Sequence, residues 1–371
     1  MCFKLLNTYL KVGKFFALTP PSIETDKNTT FRKIQQVFMI LLIITCVTIS
    51  VYVRNTLYSQ YSLAKITVCL LNDIVLCIFC CRIVFETSKV SQWIELINSL
   101  KQTSCLLEET DNNKEERIQW KFIVPQVVFW IISIYLNVYW FTIMGVPILE
   151  QYAFEVLQNY VQLFYTFYVH TIIGMIQRRY EALKHHFESK FVANDKNLNQ
   201  MGYYACTLKE TVNRFNSIFG WSLLLLITFT TLQFLNYLEY NLQSQEFGTE
   251  NVTQTVIAHV TAILLSFIPT VMLLLKCDNV MEEFEDIAFV VSKSSTQLLD
   301  PRIREEVDRL GHILVTHLPQ FSAARFIFLG RSTLMGIFGT VATFFIVITT
   351  FEPKARTSIL ETAVNVSLSR T

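Results

Sequence analysis

Seven runs of about 20 mostly apolar residues punctuate the 371-residue chain, at roughly 34–53, 63–85, 122–146, 152–176, 217–238, 255–275 and 332–351. Each is long enough to cross a hydrocarbon core about 30 Å thick as an α-helix. A backbone in hydrocarbon must satisfy its own N–H and C=O groups, so runs of this kind fold as helices. The chain is 52% hydrophobic, with 30 Phe and only 10 Gly. That is more apolar surface than one aqueous domain of this length can bury. The expected fold class is all-α: a polytopic membrane protein with seven transmembrane helices. The second run is interrupted by Asn72, Asp73 and Arg82, and the fourth is dotted with Gln and Tyr.

Positive residues set the orientation of such a bundle. Lys and Arg crowd into 1–36, 86–121, 177–216 and 276–331, whereas the alternate segments hold only Arg54, Lys354, Arg356 and Arg370. This bias places the N-terminus inside and the C-terminus outside. The mixed stretch 1–33 carries no signal-peptide pattern, so the first run is expected to serve as an uncleaved signal anchor. Asn251-Val252-Thr253 forms a glycosylation sequon in an expected outer loop, and Asn365-Val366-Ser367 forms another in the tail. The net charge of +1 argues against a nucleic-acid partner.

The long inner segments are patterned as helices. Arg179, Leu183, His186, Phe187 and Phe191 recur at helical spacing, as do Val280, Phe284, Ile287 and Val291, and Ile303, Val307, Leu310 and Leu314. Such apolar faces need cover, from the same subunit or from others. The expected organisation is a cytoplasmic segment over 1–33, six spans with a ligand-pocket region over 34–276, cytoplasmic anchor helices over 277–331, a seventh helix over 332–351 and an outer tail over 352–371.

Polar residues inside spans are the candidate functional groups, because each is costly there unless partnered. Asp73 admits two readings, a bond to Asn72 or a neighbouring hydroxyl, and a ligand contact. Gln151, Glu155, Gln158 and Gln162 share one face of the fourth run. Near the same level the third run offers Tyr135, Asn137, Tyr139 and Trp140; the fifth offers Gln233, Asn236, Tyr237 and Tyr240, and the sixth His259. Aromatic surface with a few polar anchors suits a ligand pocket; an interfacial aromatic belt is the other reading. The proposed ligand set is Asp73, Trp140, Glu155, Gln158, Gln162, Gln233, Tyr237 and His259.

Cys77, Cys80 and Cys81 sit in an apolar run without a matching ligand cluster, so buried thiols are expected rather than a metal site. His185-His186, His312 and His317 lack a ligand set. No hydrolase, zincin, P-loop or dinucleotide motif occurs, so neither enzymatic activity nor a cofactor is expected. The last run differs from the others in having a weakly polar stripe. Gly336, Gly339, Thr340, Thr343, Val347, Thr350 and Phe351 fall within about a third of a helix circumference.

That last run resembles the seventh span of the insect gustatory receptor family, whose hallmark is Thr-Tyr, five hydrophobic residues, then Gln-Phe. Here Thr343-Phe344 is followed by Phe345 to Thr349 and then Thr350-Phe351. Thr343 and Phe351 match; Phe344 stands for Tyr and Thr350 for Gln. Phe321 to Phe326 and Gly330 to Ser332 look like the family's lead-in. The resemblance implies a ligand-gated cation channel, homotetrameric or heteromeric with related receptors. The last span of each subunit would line one pore, the other spans would form a pocket open to the outside, and the inner helices would hold the assembly together. It implies Thr350 and Phe351 at an outer gate, with Thr343 below and Thr340 and Val347 on the same wall. The expected ligand is a small tastant, and the expected location the plasma membrane of sensory neurons. Sweet-taste members carry Glu after the Thr-Tyr pair; Phe345 here favours a bitter-type or orphan member over a sugar-responsive one. A G-protein-coupled-like receptor is a further alternative, opposed by the inside N-terminus.

Overall fold

The computed structural model describes residues 2–20, 29–58, 63–106, 115–145, 147–190, 195–246, 252–297, 301–316, 318–347 and 350. Ten α-helices account for almost all of them. They are α1 (Cys2–Phe15), α2 (Thr29–Tyr58), α3 (Leu63–Glu86), α4 (Val90–Gln102), α5 (Glu115–Met144), α6 (Pro147–Lys190), α7 (Asp195–Glu246), α8 (Val252–Gln297), α9 (Pro301–Thr316) and α10 (Arg331–Val347). Among the described residues, stretches of α2, α3, α5, α7 and α8 are long and apolar enough to cross a membrane. α6 is helical throughout its expected span but too polar to qualify by composition, and the described part of α10 is shorter.

Burial explains why α6 can carry so many polar groups. α2 and α5 sit at the periphery, with only 11% of their apolar windows buried. They present Ile34, Val37, Phe38, Ile131 and Ile134 outward, the surface that lipid would cover. α6 lies inside the bundle: Phe164, Tyr165, Tyr168, Val169, Ile172, Ile173 and Ile176 are all buried. A helix wrapped by other helices has no need of a uniformly apolar surface. α7 is the central element, packed against α3, α4, α6, α8 and α9.

The long helices continue beyond the apolar stretches, as their periodicity anticipates. Arg179, Leu183 and Phe187 are buried, and so are Val280, Phe284, Ile287 and Val291, and Val307, Leu310 and Leu314. These faces find their cover within the chain, where α8 packs on α6, α7 and α9. α4 adds Trp93, Leu96 and Leu100 against α7. α1 inserts Leu6, Tyr9 and Leu10 beside α5 and α6, with the Tyr9 ring 4.9 Å from Phe122 and 5.5 Å from Phe164. Outside the apolar stretches, Lys184 bridges α6 to Glu283 and Asp286 of α8; the Asp286 carboxylate holds its ammonium above the usual lysine range. That pair is exposed and contributes little to stability.

Two polar hubs tie the elements together where sequence periodicity is silent. Glu86, at the end of α3, accepts hydrogen bonds from Ser222 of α7 and, at 2.9 Å, from Tyr165 of α6. Its backbone carbonyl also accepts Trp93 Nε1 at 3.2 Å. Arg179 on α6 donates to the Leu100 carbonyl and, at 2.9 Å, to Thr103 Oγ1, capping the C-terminal end of α4. A cation belongs there, where unpaired carbonyls and the helix dipole concentrate negative potential.

Between α9 and α10 lies a small antiparallel hairpin, β1 (Ser322–Ala323) and β2 (Ile327–Phe328). Its turn runs through Ala324 (φ 51°) and Arg325 (φ 65°), both left-handed. The hairpin is seated on α7: Asn216 donates to Gln320 O at 2.7 Å and accepts from Ser322 N at 3.1 Å. A Cβ at Gly220 would meet Ala324 N at 2.9 Å, so only glycine permits this approach.

Candidate functional site

One group of candidate residues converges at the end of the bundle away from the helical extensions, where α5 ends and α8 begins. His259 on α8 lies between two aromatic rings, 5.1 Å from Trp140 of α5 and 5.8 Å from Tyr237 of α7. Tyr139 and Thr255 share a hydrogen bond of 2.9 Å across the same α5–α8 contact. Trp140 is thus a packing partner within the bundle as well as a residue near its rim. Tyr135, by contrast, is 47% exposed.

The polar stripe on α6 faces α7. Gln162 donates to Thr230 Oγ1 at 3.5 Å, and Thr230 shares a hydrogen bond of 3.1 Å with Thr270 of α8. α6 and α7 run antiparallel, so the next turn toward His259 places Gln158 on one helix and Gln233 on the other. Gln158 Nε2 and Gln233 Oε1 are both buried without a hydrogen-bond partner among the described residues. A buried donor and a buried acceptor left unpaired cost about 1–3 kcal/mol each. Such groups mark where a polar ligand atom would be most strongly held. Glu155, one turn further, is half-buried and within electrostatic reach of Arg54 and Asp73.

Asp73 has a different partner from those expected. Its Oδ2 lies 2.7 Å from Arg54 Nη2 on α2, and Arg54 also donates to Ser50 Oγ at 3.0 Å. This partner was not among those the sequence suggested, and Arg54, read from the sequence as lying beyond the first span, stands on the same helix as that span. α2 continues as helix to Tyr58, and a guanidinium on its last turns reaches the carboxylate across the α2–α3 contact. Sequence reasoning also missed Lys65, which is 1% exposed and bears electrostatically on His259, and the Cys69–Asn236 contact of 3.4 Å between α3 and α7. Nothing in local spacing announces these pairs. Cys77 and Cys81 stand one helical turn apart on α3, and Cys80 is buried. No metal-binding group of His, Cys, Asp and Glu occurs among the described residues.

The second candidate feature is α10. Thr333, Ile337 and Val341 are buried against the bundle, and Leu334 and Phe344 pack beside them. Gly336, Gly339, Thr340, Thr343, Val347 and Thr350 are exposed on the opposite side of the isolated chain. The threonine hydroxyls fold back onto their own helix: Thr340 onto Gly336 O at 2.9 Å, Thr343 onto Gly339 O at 2.8 Å and Thr350 onto Ile346 O at 2.7 Å. The stripe therefore presents methyl groups and satisfied oxygens, beside the exposed side chains of Met335, Phe338, Phe345 and Ile346. The base of α10 is pinned to α8 by Arg331, 2.8 Å from Asp278 and 3.4 Å from Glu282. Phe351 and Asn251 lie outside the described residues.

A helical bundle with several helices long and apolar enough to cross a membrane defines the class as a multi-pass membrane protein. The sequence matches the 7tm chemosensory receptor family over residues 6–354, and the chain belongs to that family. No curated protein matches it by sequence. The fold is similar to that of the insect olfactory receptor OR5 from Machilis hrabei. The complex of that receptor with eugenol aligns with a TM-score of 0.65 at 13% identity, covering 93% of this chain and 98% of that one. A second structure of the same receptor gives a TM-score of 0.59 at 14% identity, with 93% of this chain and 97% of that one covered.

Proposed function

We propose that this chain is a gustatory receptor that acts as a ligand-gated, non-selective cation channel opened by a small tastant. The observation that carries the proposal is the exposed Gly/Thr stripe of α10. A membrane helix whose polar side turns away from its own bundle needs other copies to cover it, and four such helices around one axis would enclose a polar path. Thr340, Thr343, Val347 and Thr350 would then line the pore, with Phe351 beside Thr350 at the gate. The assembly is a homotetramer or a heteromer with related receptors, in the plasma membrane of sensory neurons. Seven spans with an inside N-terminus agree with the distribution of Lys and Arg.

The ligand site is the cluster of Trp140, Gln158, Gln162, Gln233, Tyr237 and His259, flanked by Asp73 and Glu155. Unpaired amide atoms among aromatic rings suit a small neutral molecule with one polar group, which favours a bitter-type tastant over a sugar with many hydroxyls. The olfactory receptor of similar fold was solved with eugenol, a molecule of comparable size. Ligand binding opens the channel to the extent that it favours the open arrangement over the closed one.

Cysteine accessibility tests the pore assignment. In cells expressing the chain alone, currents of Thr343→Cys should be blocked by a charged methanethiosulfonate, whereas Ile337→Cys currents should persist. Equal behaviour of the two variants removes the stripe from the pore. Gln233→Leu should shift the dose response more than the maximal current; a change in surface expression alone would eliminate the pocket.

A further inference from the structure

We propose that α8 works as a lever hinged at Pro269, which carries movement at the His259 end of the bundle to α10 through the ring of Phe267. The inference rests on the reading of His259 and its neighbours as a ligand site and of α10 as a pore wall. Pro269 lies buried in the middle of α8. Proline has no N–H, so the helical bond to the Leu265 carbonyl does not form, and the ring crowds the same carbonyl. Hydroxyls on either side turn back onto the helix: Ser266 reaches Ile263 O at 3.1 Å, and Thr270 reaches Ser266 O at 3.3 Å. Back-bonding of this kind bends helices. A missing bond and two back-bonded hydroxyls within 266–270 mark the pliable point of a 46-residue helix.

The two arms of α8 are held differently. After Pro269, Leu273, Leu274, Cys277, Val280 and Phe284 are buried, and Asp278 and Glu282 grip Arg331 at the base of α10. Before Pro269, only Ala258, His259 and Ile263 are buried among the described side chains of the arm. The arm is therefore the less firmly packed of the two. Phe267 is where it meets α10. Its ring stacks on Phe234 of α7, with centroids 5.5 Å apart and planes at 20°, and stands edge-on to Phe338 of α10 at 5.6 Å. The Tyr237–His259 contact lies further along the same α7–α8 seam. Gly336 and Gly339 flank Phe338, and a Cβ at either would meet nothing within 4 Å, so no packing within the chain requires glycine there. Two glycines within one turn loosen α10 beside the ring contact. The base of α10 is thus pinned to one arm of α8 and its middle touches the other. A change of angle at Pro269 moves the middle against the base.

The test places 4-fluorophenylalanine at position 338 of the full chain in detergent and follows its fluorine resonance by NMR, with neither a tastant nor a current required. His259→Ala disturbs the arm about 12 Å from Phe267 along the helix axis, and should move the resonance. Phe267→Leu removes the ring between them and should abolish that response. Pro269→Ala restores the missing backbone bond without breaking the helix, and should suppress the response while Phe267 stays in place. His312→Ala, at an exposed position on α9, should leave the resonance where it is. No response to His259→Ala, a response undiminished by Phe267→Leu or by Pro269→Ala, or an equal response to His312→Ala would overturn the lever. The two readings fail separately. A chain that conducts but relays no fluorine response loses the lever alone. A relayed response in a chain whose Thr343→Cys currents resist the charged thiol reagent keeps the lever and loses the pore assignment.

Discussion

At the scale of single residues, the most informative group is the Arg54–Asp73 pair, with side-chain exposures of 11% and 9%. Its energetics separate the two readings that the sequence leaves open for Asp73. Breaking a buried ion pair by removing one partner costs about 3–5 kcal/mol, whereas replacing both by apolar residues is often close to neutral. Asp73→Asn should therefore lower the thermal melting temperature in detergent sharply. Arg54→Met with Asp73→Leu should restore most of it. If the pair also holds the tastant, the restored double variant will still lose its ligand response; a normal response would make the pair purely structural. Asp73 was legible in the sequence as an exceptional residue. Its partner was not, because an arginine near the end of an apolar run is indistinguishable from a loop charge until α2 and α3 are packed together.

At the scale of elements, the hairpin that precedes α10 is held under local strain. Ala324 and Arg325 both occupy left-handed conformations, each costing roughly 1 kcal/mol for a residue with a Cβ. Asn216 and Gly220 of α7 hold the hairpin in place. Arg325→Gly should relieve the turn and raise stability by about 0.5–1 kcal/mol. Gly220→Val should do the reverse, by about 2 kcal/mol or more, because its Cβ would collide with backbone rather than with a movable side chain. Thermal unfolding of the two variants in the same detergent checks both signs. The hairpin is the connection through which α7 and α8 fix the base of α10, so Gly220→Val should also alter the currents of any channel that survives. The sequence shows Ser322-Ala323-Ala324-Arg325-Phe326 without Gly or Asn, the usual marks of such a turn. The strand pairing was consequently invisible until the surface of α7 was in view.

At the scale of the whole molecule, the proposed topology is testable without any ligand. Asn251 should carry a glycan, so glycosidase treatment should increase the electrophoretic mobility of the wild type by more than that of Asn251→Gln, and leave Asn251→Gln with Asn365→Gln, which removes both outer sequons, unchanged. A wild type unaffected by the enzyme, together with an N-terminal tag accessible on intact cells, would reverse the orientation. Apolar residues exposed on the extensions, such as Phe289 at 68%, Val315 at 73% and Phe326 at 74%, fit a chain that completes its surface in an assembly.

What the sequence determined alone is whatever depends on local composition and period. Apolar length set the positions of most spans. Helical spacing identified the packed faces of α6, α8 and α9, and the small-residue stripe of α10 was legible because helical periodicity is regular. α6 was legible as a helix in spite of its polarity, and only its burial among other helices shows why that polarity is tolerated. Tertiary structure alone decided the partners: Arg54 for Asp73, Ser222 and Tyr165 for Glu86, and the two rings that enclose His259. It also decided which side of α10 packs against the bundle. The physical reason is the same throughout. Hydrophobic burial and backbone hydrogen bonding are satisfied locally along a helix, and are therefore written in its period. A polar pair depends on the distance between residues far apart in the chain, which only the packing of one helix on another creates.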